Sequence, residues 1–137
     1  MKNPLDDYLG YHLSRATLAK NSELNGFLKP LGIRHVDASI LLYIGANPGI
    51  TQSSIGRALG IQRANMVPFI ARLETRAWIA RLPTAGKSQG LTLSKAGLLA
   101  AAQVRRAIAQ AETAISRIVP VKKKTEMIAL LRALSRE

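Results

Sequence analysis

The apolar residues of this chain leave their helical period in one stretch, and that interruption limits the architectures open to it. Up to residue 75 they recur every three or four positions. At "WIARL" (78–82) and "LTL" (91–93) they alternate instead, and "PTAGKSQG" between the two runs is dense in turn residues. From residue 94 the helical spacing returns. A period near 3.6 belongs to helices and a period of two to strands. The middle segment therefore reads as two antiparallel strands joined by an exposed loop, set among helices. The fold class that follows is mainly α with a small β-hairpin.

The helices can be placed by their apolar faces and their stops. Residues 6–28 carry Leu9, Leu13, Ala16, Leu24, Phe27 and Leu28 at helical spacing, ended by Pro30 and Gly32. Residues 34–46 place Val36, Ile40, Leu41 and Ile44 on one face, closed by "NPG" at 47–49. Thr51 stands where an N-cap belongs, its hydroxyl able to accept an amide proton of the next turn. A short third helix runs to Leu59, and Gly60-Ile61 form a turn. A fourth helix runs from Gln62 to Thr75, with a modest kink expected at Pro68, where a backbone hydrogen bond is lost. Ser94 caps a long helix through Val119, with Leu98, Ala102, Arg105, Ile108, Ile115 and Ile118 on or near one side. Pro120 breaks it, and a last helix over 122–135 carries Met127, Ile128, Leu131 and Leu134. There is no internal repeat and no low-complexity tract.

A chain of 137 residues fits one domain, or one domain with a helical appendage. It buries roughly 70% of its unfolded surface, enough to fold without metal or crosslinks. Lys and Arg number 20 against 8 Asp and Glu, a net charge of +12. Charge of that size bears on partners rather than on fold. Nucleic acid is favoured over an anionic membrane surface, because a long, strongly basic amphipathic helix is missing. With no cysteine, disulfides, thiolate zinc sites and thiol catalysis are all excluded. "MKNPLDDYLG" lacks the apolar run of a signal peptide, and "ASILLYIGA" is far too short to span a bilayer. A soluble, cytoplasmic protein is the expectation. Two histidines and eight scattered acids supply no ligand-spaced cluster and no nucleophile beside a base. No metal, no cofactor and no enzymatic activity are expected.

The residues that point to function lie in "ALGIQRANMVP" (58–68). A helix ends at Gly60, and the next one begins with Gln62, Arg63 and Asn65 before its apolar stripe of Val67, Ile70 and Leu73. In a helix-turn-helix on DNA, the leading turn of the second helix faces the base edges. That order explains why long polar side chains come first and core contacts follow. Arg suits guanine O6 and N7, Asn and Gln suit adenine N6 and N7, and Met66 is placed to touch a thymine methyl. Residues 51–90 hold Arg57, Arg63, Arg72, Arg76, Arg81 and Lys87 against Glu74 alone, a local balance of +5. Thr51, Gln52, Ser53, Arg72, Arg81, Lys87 and Ser88 complete the candidate DNA contacts. Arg72, one turn further back, is assigned to phosphate. The hairpin is positioned as a wing, with Arg81 at its base and Lys87 at its tip.

The stretch from "LLYIGANPGITQ" through "ALGI", "RLE" and "LTLSKAG" resembles the multiple-antibiotic-resistance regulator (MarR) family of winged helix-turn-helix repressors. With its flanking helices the similarity extends over nearly the whole chain. It implies a homodimer whose first, fifth and sixth helices form the dimer body, palindromic double-stranded DNA as partner, and release by a small ligand. The division that follows is 1–33 and 95–137 for dimerisation around a DNA-binding unit at 34–94. The wing departs from the family pattern. An Asp-x-Arg motif is usual there, whereas "RLPTAGKSQGL" has neither acid nor arginine inside the loop. Weaker readout by the wing is expected, with Lys87 standing in.

The apolar faces of the first and last two helices are longer than a small winged domain can cover, which independently favours a homodimer. Two-fold symmetry then spaces half-sites about 10 base pairs apart. Lys122, Lys123 and Lys124 open the last helix, away from DNA in the family's arrangement. The family's effector pocket lies where the first two helices meet the winged domain. There His12, Arg15 and Tyr43, with Tyr8, Tyr11 and His35, would present a cationic edge and an aromatic wall to an aromatic carboxylate or its thioester. Ordinary packing is the competing explanation for these side chains. For the whole chain the competing explanation is a winged-helix scaffold, or a module that binds nucleic acid without sequence preference.

Overall fold

A computed structural model describes every residue except Ala85, Lys87, Ser88 and Glu137. In chain order it contains α1 (Leu9–Leu28), a 3-10 turn (Lys29–Leu31), α2 (His35–Ala46), β1 (Ile50–Thr51), α3 (Gln52–Leu59) and α4 (Arg63–Thr75). Then follow β2 (Ile79–Leu82), β3 (Gly90–Leu93), α5 (Lys95–Ser116) and α6 (Val121–Leu134). Every predicted helix is present within a few residues of its expected ends. α4 runs through Pro68 without a break.

Local chemistry sets the boundaries. The Asp37 carboxylate accepts the Arg34 N–H at 3.1 Å and so starts α2. Thr51 Oγ1 accepts the Ser54 N–H at 3.2 Å at the head of α3. Gly60, at φ 66°, takes the left-handed conformation that ends α3. Ser94 Oγ accepts the Gly97 N–H at 3.0 Å at the head of α5.

The hairpin strands pair antiparallel in the register Ile79 with Leu93 and Leu82 with Gly90. One strand went unread in the sequence: β1 pairs with β3 through Ile50–Leu91 and Thr51–Gly90, giving a three-stranded sheet in the order β1-β3-β2. Gly90 permits this closeness, since a Cβ there would lie 2.6 Å from the Gly49 carbonyl oxygen. The extra strand ties the entry of α3 to the base of the hairpin.

One buried cluster joins Leu28 of α1, Ile40, Leu41 and Ile44 of α2, Ile55 of α3, Met66, Ile70 and Leu73 of α4, Leu91 of β3 and Val104 of α5. Small residues Ala100, Ala101 and Ala107 line the buried face of α5, along which α1 and α2 pack. α6 buries no residue, and Ile118, Val121, Leu130 and Leu134 are exposed around it. No helix among the described residues is long and apolar enough to cross a membrane.

α4 ends in an atypical way. The Ala77 N–H donates to the Glu74 carbonyl and the Trp78 N–H to the Leu73 carbonyl, the paired bonds of a Schellman stop. That motif needs a left-handed residue, and here it is Ala77, at φ 56°. Ala77→Gly is therefore expected to stabilise the fold by about 0.5–1 kcal/mol. A rise in the urea midpoint at constant slope is the measurement, and an unchanged or lower midpoint would show that the strain is absent.

Candidate nucleic-acid interface

The interface begins with how closely α3 approaches α4. Gly56, on the buried side of α3, lacks the Cβ that would sit 3.0 Å from the Ile61 carbonyl and 3.2 Å from Met66 Cγ. Met66 fills that gap and is fully buried, with Ile70 and Leu73 one and two turns behind it. The assignment of Met66 to a thymine methyl is thereby corrected: its side chain belongs to the core. Val67, expected to hold the helix to the body, is 57% exposed instead. The buried stripe is 66, 70, 73, one residue out of phase with the predicted start.

With α4 in that phase, Gln62 is its N-cap residue and Arg63 its first residue, both exposed, as is Asn65. Their side chains make no hydrogen bond among the described residues. Arg63 and Asn65 nevertheless diverge. Arg63 borders a cleft of about 260 Å³ together with Thr51, Gln52, Ser53, Arg57, Arg81 and Gln89. Asn65 borders a shallow hollow on the opposite flank, beside Val36, Gly60 and Phe69.

Three arginines line the cleft beside the N-terminal turn of α3, whose amides and positive dipole end favour an anion; Arg57 and Arg63 have no carboxylate partner among the described residues, whereas Arg81 is paired with Glu74. Arg57 Nη2 lies 3.3 Å from Ser54 Oγ. Arg81 donates to both carboxylate oxygens of Glu74, at 2.7 and 3.3 Å, and this hydrogen bond raises its pKa above the ordinary guanidinium range. The Glu74 contact also braces β2 against α4. Chemically the cleft suits a phosphodiester backbone, while the exposed turn above it remains free to meet bases. Arg57 and Gln89 join this set although sequence reasoning left them out. In the sequence Arg57 contributes only to local charge, and Gln89 reaches the cleft only through the folding of the hairpin.

Arg72 also needs correcting as a phosphate contact. Its guanidinium turns back to Asp37 on α2, at 3.2 Å, and stacks over the Phe69 ring at 4.7 Å. Asp37 is 6% exposed, so Arg72 neutralises a buried carboxylate. Arg76 does a similar job one turn later, donating to the carbonyls of Leu31 and Gly32 at 2.8 Å each and lying over Trp78. Two of the six local cations therefore lock the rear of α4 to the α1–α2 junction. Lys87 and Ser88 lie outside the described residues.

The six proposed effector residues do not form one cluster. Tyr11 and His12 stack edge to face at 5.2 Å, and His12 Nε2–H donates to the Asp6 carbonyl at 2.7 Å. Tyr8, just before α1, and Arg15 on it are exposed. His35 sits instead against Asn25, whose Oδ1 accepts its N–H at 2.7 Å. Thirteen residues of helix separate His12 from Asn25, roughly 20 Å along the axis. Tyr43, two turns further along α2, packs against the core.

A helix-turn-helix with a hairpin beside it and a three-stranded sheet beneath is the winged-helix arrangement, and residues 31–88 match the family model for MarR. Over that segment the chain is similar to the MarR family. A relative in sequence is the putative transcriptional regulatory protein for the hcr operon of Thauera aromatica. It is 26% identical over 132 residues, which span 94% of this chain and 80% of the relative. The solved structure of the transcriptional repressor CouR bound to a 23-mer DNA duplex superposes at a TM-score of 0.90 and 25% identity, with 99% of this chain and 100% of that one covered. CouR bound to p-coumaroyl-CoA superposes at 0.89 and 27% identity, with 100% and 98% covered. The likeness in fold thus extends over the full chain, beyond the segment that the family model matches.

Proposed function

We propose that this protein is a homodimeric, sequence-specific DNA-binding transcriptional repressor whose grip on DNA is released by an aromatic acid or its thioester. One observation carries the reading: the leading turn of α4 stands exposed beside a cleft where Arg57, Arg63 and Arg81 converge. Residues 34–94 meet the duplex. The segments 1–33 and 95–137 pair two copies through the apolar surface left open on α6 and at the exposed Leu9 and Leu18 of α1. The thioester end of the effector class is supported by the likeness to CouR with p-coumaroyl-CoA. The working site is the cytoplasm, and no catalytic role is assigned.

The test is selection of bound duplexes from a random pool, followed by titration of the enriched site and a random duplex across salt concentrations. A palindromic site with half-sites about 10 base pairs apart should emerge, bound at least 10³-fold more tightly than random sequence. Aromatic acyl-CoA thioesters should lower its occupancy. A steep salt slope without discrimination between the two duplexes would overturn the reading and favour a non-specific nucleic-acid module.

A further inference from the structure

We propose that the ridge of α4 that enters the groove recognises thymine methyl groups, with Val67 as the principal contact. The inference rests on the DNA-binding reading above and assigns a specificity determinant that the reading leaves open.

Met66, Ile70 and Leu73 face the core at intervals of four and three. The outer surface of α4 carries Ala64, Pro68 and Ala71 opposite them, with Val67 at its edge toward Arg63, about 100° from Met66, and all four are exposed. None carries a side-chain donor or acceptor. The polar side chains lie to either side: Arg63 toward the cleft with α3 and β2, Asn65 toward the hollow beside α2. A helix presented end-on and slightly tilted into the major groove brings its outward ridge closest to the base pairs. The only apolar group displayed there is the C5-methyl of thymine. Small side chains at Ala64 and Ala71 allow close approach, and Val67, the largest exposed aliphatic of α4, is the one that can cover a methyl. Arg63 and Asn65 are then left to hydrogen-bond to bases on the flanks.

Burial of one methyl group corresponds to about a fourfold change in affinity. The experiment uses the full-length protein and the site obtained by selection, with each thymine replaced singly by deoxyuridine, which removes only the methyl. One or two positions per half-site should weaken binding about fourfold. With Val67→Ala the sensitivity at one of them should vanish, so that thymine and deoxyuridine duplexes bind alike. Val67 is half exposed, so this variant is expected to keep the wild-type melting temperature. The assignment is overturned if deoxyuridine is tolerated at every position, or if all sensitivities persist in Val67→Ala. Failure of the protein to select any site would overturn this assignment and the reading beneath it together. Selective binding without a deoxyuridine effect would overturn this assignment alone.

Discussion

Gly97→Ala is expected to destabilise the fold by about 3 kcal/mol or more, the largest effect of any single methyl added to this chain. Gly97 sits in the first turn of α5, directly against the backbone of Trp78, and an added Cβ would overlap the Trp78 carbonyl. Neither side can retreat easily. That carbonyl accepts the Ser94 N–H at 2.9 Å, and Ser94 Oγ–H donates to the Ala77 carbonyl at 2.6 Å while accepting the Gly97 N–H. A shift of α5 would break all three bonds and pull Ala100, Ala101 and Val104 out of the core. Domains of this size are stable by about 5–15 kcal/mol, so the loss is a large fraction of the total. A fall in melting temperature of roughly 10 °C or more should be visible by circular dichroism. A variant within 0.5 kcal/mol of wild type would mean that the α5 docking drawn above is wrong.

Arg63→Ala carries the largest expected effect on binding. Arg63 is the first residue of α4, exposed and without a hydrogen-bond partner among the described residues. Its loss therefore leaves nothing unpaired inside the protein, and stability should hardly change. A guanidinium bidentate to guanine is worth about 1–3 kcal/mol of discrimination, roughly 5- to 150-fold. Fluorescence anisotropy at one fixed salt concentration should show that loss on the selected site, relaxed preference at one base pair, and a much smaller loss on random duplex. Equal losses on both duplexes would reduce Arg63 to a phosphate contact.

The two variants probe different depths of the same unit. Gly97 supports the platform on which α4 and the hairpin rest, and Arg63 uses it. Arg72 and Arg76 lie between these roles. They resemble the free cations in composition, yet their partners Asp37, Leu31 and Gly32 hold the rear of α4 to the α1–α2 junction.

The sequence by itself determined where helices start and stop, where the hairpin lies and which polar residues open α4. Those features depend on hydrogen bonds between near neighbours, such as Thr51 to Ser54 and Ser94 to Gly97, and on backbone preferences of single residues such as Gly60. Tertiary structure alone decided the rotation of α4, because an apolar stripe beginning at Met66 or at Val67 looks nearly the same until Gly56 opens a space for one of them. It also decided the partners of Arg72 and Arg76, which lie 35 to 45 residues away along the chain, and the pairing of the two-residue strand β1. Contacts between distant residues arise only when the helices close around a common core, and residue type does not specify them in advance.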